Sequence, residues 1–129
     1  MTNALLDDET RARGLQVRRE VLGPSHVQAS YEVDALSQPK TQMSEYVWSK
    51  IWARPGLSRK RRSIANLAML AALNRPHELK LHVKAAINNG LTQEEIGEVL
   101  LQTAVYCGVA AAEDSFRIAR EAFTEIGLS

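Results

Sequence analysis

Apolar side chains recur every three to four positions along most of the 129-residue chain, and strict apolar–polar alternation is scarce. That spacing predicts helices rather than strands. A first helix is expected over residues 7–22, with acidic residues in its opening turn and Gly23-Pro24 ending it. A short second helix fits residues 26–36. Pro39 in a first turn starts a third, running through Met43, Tyr46, Val47, Trp48 and Ile51. The third should break at Arg54-Pro55-Gly56-Leu57, because Pro55 disfavours helix at Arg54 and Gly56 turns at low cost.

Ser58 is placed to cap a fourth helix over residues 59–74, whose Ile64, Leu67, Ala68 and Ala71 fall at helical spacing. Pro76 opens a fifth helix to residue 89, with Gly90 positioned as a left-handed cap. Thr92 and Glu95 have capping-box spacing before a sixth helix carrying Ile96, Val99, Leu100, Thr103 and Ala104. A last helix is expected over residues 109–126. The pattern contains no linker, repeat or low-complexity stretch, so we expect one compact all-α domain of six to seven helices over residues 1–129. Small residues crowd helices four to six (Ala65, Ala68, Ala71, Ala72, Ala85, Ala86), which permits close helix approach and suggests a surface covered by another subunit.

Composition narrows the class. With 45% hydrophobic and 24% charged residues, the chain is not disordered as a whole. Its longest apolar run, residues 67–73, is far short of the roughly 20 residues of a membrane span. Residues 1–9 are polar and acidic, unlike a secretory signal, and the one cysteine, Cys107, cannot form an internal disulfide. A soluble cytoplasmic protein is expected, with no membrane partner. The net charge of +1 conceals a basic stretch, Lys50, Arg54, Arg59, Lys60, Arg61 and Arg62, that contains no acidic residue. A local basic segment on a nearly neutral chain suits a small anionic ligand better than nucleic acid, whose binders are basic over the whole domain.

Candidate chemistry is sparse. There is no glycine-rich phosphate loop, no GxSxG and no cysteine pair. His77 and His82 are five residues apart, about 140° around a helix, which argues against the zinc geometry of H-E-x-x-H. Glu78 and His82 are four apart and share a face. That spacing fits an ordinary exposed pair, or a carboxylate that fixes an imidazole tautomer for proton transfer. Arg59 and Arg62 stand one turn apart beside a helix N-terminus, and fit either a solvated basic face or a clamp for a dicarboxylate. Lys60 and Arg61 read as solvated. Trp48 and Trp52 lead into this loop as packing residues or as a pocket wall, and Cys107 after an apolar helix reads as core.

Several segments carry a resemblance. Ile51-Trp52-Ala53-Arg54-Pro55-Gly56-Leu57-Ser58-Arg59 resembles the W-x-R-P-G-L segment of 4-carboxymuconolactone decarboxylases. Glu78-Leu79-Lys80-Leu81-His82-Val83-Lys84-Ala85-Ala86-Ile87-Asn88-Asn89-Gly90, Glu98-Val99-Leu100-Leu101-Gln102, Tyr106-Cys107-Gly108-Val109, and Gly14 to Gly23 with His26-Val27 are similar in the same order. The resemblance implies an alkylhydroperoxidase D-like helical bundle that forms homo-oligomers, often hexamers, with pockets near subunit interfaces. In the redox branch of that superfamily two cysteines precede a histidine by seven and four residues, and the histidine precedes a helix-ending glycine by eight. Counting back from Gly90 reaches His82, with Arg75 and Glu78 at the cysteine positions. The resemblance thus places Glu78 and His82 at the reactive locus and removes the dithiol. One region departs from it. Ala110, Ala111, Ala112, Glu113 and Asp114 stand where the decarboxylases usually have Pro, two Ala and Asn-His, and two carboxylates there would oppose an anionic substrate.

The implied activity is decarboxylation of 4-carboxymuconolactone to the enol-lactone of 3-oxoadipate in aromatic catabolism, with no cofactor or metal. The roles it implies are His82 as general acid oriented by Glu78, and Arg62 and Arg59 as carboxylate holders. Trp52 and Tyr106 would line the pocket, with Tyr106 donating to the lactone oxygen. The residues also leave open a lactone decarboxylase or isomerase of altered range, a thiol peroxidase, a non-catalytic binding protein and a nucleic-acid binder.

Overall fold

The computed structural model of the chain describes residues 6–23 and 33–128. Among the described residues there are six α-helices, one π-helical stretch and no strand. The helices are α1 (Asp8–Leu22), α2 (Ser37–Tyr46), α3 (Arg59–Ala72), α4 (Pro76–Asn88), α5 (Gln93–Cys107) and α6 (Val109–Glu125), with the π-helix at Val47–Trp52. The chain divides into two compact units, residues 1–57 and 58–129.

In the first unit, Asp7 caps α1 by accepting the Thr10 amide at 2.7 Å, which holds its carboxyl below the usual range. The expected helix over residues 26–36 lies mostly outside the described residues, and its end, Asp34–Leu36, is a turn leading into α2. Asp34 accepts the Leu36 amide there, at 2.8 Å. The expected third helix therefore starts at Ser37, with Pro39 in its first turn, and changes register at Val47. Ser49 lies in the widened stretch and donates its hydroxyl to the Glu45 carbonyl at 2.6 Å, a back-bond that competes with the regular ladder. The wider turn brings Trp48 onto Trp52, ring centroids 5.6 Å apart and 29° between planes. Helix α1 comes so close to this stretch that a β-carbon on Gly14 would sit 3.0 Å from the Ser49 β-carbon and 3.2 Å from its backbone nitrogen. Arg11 on α1 donates to Glu45 on α2 at 3.0 Å.

The second unit is a four-helix arrangement in which α3 and α6 each pack on α4 and α5. Ser58 caps α3 by accepting the Arg61 amide at 3.2 Å, as its position predicts. Helix α4 begins at Pro76 and ends before Gly90, whose φ of 101° is open to glycine at no steric cost. The Thr92–Glu95 capping box forms with both bonds at 3.0 Å. The inward residues of all four helices make one core: Leu67 and Ala71, Leu79 and Val83, Ile96 and Leu100, Ile118 and Ala122. Each fully buried Leu or Ile there contributes about 1.5–3 kcal/mol of transfer free energy.

Candidate active site

The site residues of the second unit come from α3 and α4. Arg59, Arg62, Ser63 and Asn66 recur at helical spacing, so one face of α3 carries them all. Ser63 is fully buried and accepts the Asn89 side-chain amide at 3.0 Å, fixing the start of α3 against the end of α4. One turn further along α3, the Asn66 amide nitrogen lies 3.4 Å from Nδ1 of His82. These two pairs run in opposite directions along the helices, so α3 and α4 are antiparallel neighbours. Arg62 is four residues before Asn66, about 6 Å along the axis, which puts a half-buried guanidinium on the face that holds the imidazole.

His82 is half-buried, and burial pushes its pKa below the ordinary 6.5. The charge of Glu78, one turn earlier on α4, works in the opposite sense and is the weaker influence. Glu78 thus acts on His82 electrostatically, from an exposed position. The arrangement provides a neutral imidazole at pH 7 beside a cationic helix face, which is suited to donating to, or exchanging a proton with, an anionic carbon acid.

Other residues singled out by sequence take different places. Lys60 bridges to Glu95 on α5 at 3.3 Å and Arg61 is exposed, so these two are structural or solvated. Trp52 belongs to the first unit, 5% exposed and stacked on Trp48, a packing arrangement. Tyr106, near the end of α5, is 79% exposed. Cys107 is exposed rather than core, a correction that follows from its position as the last residue of α5, beyond the reach of the core face. Asp114 is engaged by the Arg117 guanidinium, at 3.1 and 2.8 Å, which offsets one of the two carboxylates that depart from the family pattern. Among the described residues no group of His, Cys, Asp and Glu could hold a metal ion.

An open depression elsewhere on the unit is lined by Lys80, Arg117, Arg120, Glu121, Thr124 and Glu125. Lys80 holds Glu121 and Glu125, each at 3.1 Å, so both of these carboxylates are already paired. Lys80 is two positions from His82, about 200° around α4, and therefore on the opposite face. Asn66 was not identified from sequence. Its signal was positional: a polar residue within an apolar helix, four and seven residues beyond two arginines.

Fold and geometry together define an all-helical protein that sets a half-buried imidazole beside a stripe of arginines. A family model described as the carboxymuconolactone decarboxylase family matches residues 40–121. The chain is 38% identical over 125 residues to a 4-carboxymuconolactone decarboxylase of Acinetobacter baylyi, covering 95% of this chain and 93% of that protein. It is 33% identical over 132 residues to the nitrosuccinic acid decarboxylase npaB of Metarhizium robertsii, covering 98% and 92%. The chain belongs to the carboxymuconolactone decarboxylase family.

Proposed function

We propose that this protein is a carboxy-lyase that decarboxylates 4-carboxymuconolactone without a cofactor. The observation that carries the reading is the 38% identity to an enzyme of that name, sustained over 95% of the chain. The chemistry is consistent with the residues present. When the carbon–carboxylate bond breaks, its electron pair passes through the conjugated double bond to the lactone carbonyl, giving a dienolate. Carbon dioxide leaves in that step, and one proton then adds at carbon. The substrate supplies its own electron sink, so the protein has to hold carboxylates, stabilise an oxyanion and manage one proton.

Arg62 and Arg59 hold the substrate carboxylates, and their planar forks match that geometry. His82 serves the dienolate and the proton transfer, with Glu78 tempering the effect of burial on the ring. A placed acid–base group contributes about 10²–10⁴-fold. Tyr106 keeps its proposed role as donor to the lactone oxygen. Its exposure, with Leu101, Val105 and Val109 nearby in sequence and also exposed, fits a homo-oligomer, the hexamer included, in which this surface meets another copy. No helix among the described residues is long and apolar enough to cross a membrane, and the cytoplasm is the proposed location.

A second reading is favoured by the npaB relative. Nitrosuccinic acid is also a small dicarboxylic acid that carries its own electron acceptor, a nitro group in place of the unsaturated lactone. The purified protein, offered each acid separately while carbon dioxide is followed, tests both. Stoichiometric release from the lactone supports the first reading. Release from nitrosuccinate alone replaces it with the second, and release from neither removes the carboxy-lyase assignment.

A further inference from the structure

We propose that Asn66 is a positioning residue that decides which nitrogen of His82 carries the proton, holding the ring as the Nε2–H tautomer. By spacing alone this task falls to Glu78, on the same helix. In the structure the Asn66 amide nitrogen reaches across from α3 to within 3.4 Å of Nδ1. An amide –NH₂ donates and cannot accept. Nδ1 must therefore supply a lone pair, and the single proton of a neutral imidazole is left on Nε2. An imidazolium would turn an Nδ1–H donor toward that amide donor, so the contact also opposes the charged ring, in the same direction as burial.

The consequence for the site rests on the reading of His82 given above. With the proton on Nε2, His82 meets the dienolate as a neutral N–H donor, and the proton that ends on carbon can come from solvent. A neutral imidazole has this electrophilic use in carbonyl chemistry elsewhere. The contact is long for a hydrogen bond, and catalytic contacts often tighten only when substrate binds.

Fifteen-nitrogen NMR of the ligand-free, full-length protein tests the tautomer directly, with the His82 signals identified by their loss in His82→Gln. The expected result near neutral pH is an unprotonated Nδ1 and a protonated Nε2. Asn66→Asp should reverse the pair, because a carboxylate only accepts and draws the proton to Nδ1. If Asn66→Asp does not fold, Asn66→Leu should replace the fixed tautomer by a mixture. A protonated Nδ1 in the wild type, or signals unmoved by whichever variant folds, overturns the proposal. The decarboxylation assay reads the other half. Asn66→Asp should lower kcat about 10²–10³-fold, the scale of losing one oxyanion donor, with KM little changed. Because the NMR measurement uses no substrate, a failure of the decarboxylase reading leaves the tautomer result standing, and the converse also holds.

Discussion

Replacing Arg62 by alanine separates a substrate clamp from a solvated charge. Arg62 is half-buried on α3, four residues before the asparagine that touches His82, so the two side chains leave α3 on the same face. A charge-assisted hydrogen bond contributes about 1.5–3 kcal/mol. At about 1.4 kcal/mol per decade, the loss corresponds to about 10–100-fold in kcat/KM. Helix α3 itself should tolerate the change. Arg62 is in the first turns of α3, where alanine is the better helix former and a positive charge opposes the helix dipole. Initial rates of lactone consumption should show KM raised and kcat nearly unchanged if Arg62 holds a carboxylate remote from the bond that breaks. An equal loss in kcat would move it to the reacting carboxylate. Arg62→Lys should fall between, since it keeps the charge and loses the fork. A kcat/KM within twofold of wild type, in a variant with native circular dichroism, would refute the clamp.

Three further outcomes test the scaffold. Leu67→Ala, at a fully buried core position, should lower the unfolding free energy by about 2.7–5 kcal/mol in urea titration. Thr92→Ala removes the hydroxyl that accepts the Glu95 amide at 3.0 Å and should cost about 0.5–2 kcal/mol by the same measurement. The lowered pKa of His82 gives a third outcome. Between its folded value and 6.5 the unfolded chain binds the proton more readily than the folded one, so stability falls as pH drops through that window and levels off below it. The difference in urea midpoint between wild type and His82→Gln should therefore change between pH 7.5 and 5.5, whereas His77 is common to both.

The fold was legible wherever a local rule acts alone. Ser58 caps, Pro76 starts a helix, Thr92 and Glu95 box, and Gly90 takes positive φ. Each of these is set by one to four neighbouring residues. The π-helical register at Val47–Trp52 was not legible, because it depends on the Ser49 hydroxyl and on how closely α1 approaches at Gly14. Within the site, Arg59, Arg62 and His82 could be chosen by residue type and spacing. Asn66 and the Ser63–Asn89 bond could not, since they express the antiparallel register of α3 and α4, a pairing between positions 16 and 26 residues apart. Arg117 offsets Asp114 by an i,i+3 contact on α6, a local pairing that the spacing itself permits.

An imidazole on α4 that handles the proton or the oxyanion is what this decarboxylation needs, since the substrate carries the electron sink. Its most direct test is the single-turnover rate of carbon dioxide release by His82→Ala against wild type, at saturating 4-carboxymuconolactone and with native circular dichroism verified. The variant should release it about 10²–10⁴-fold more slowly. A rate equal to wild type would contradict it.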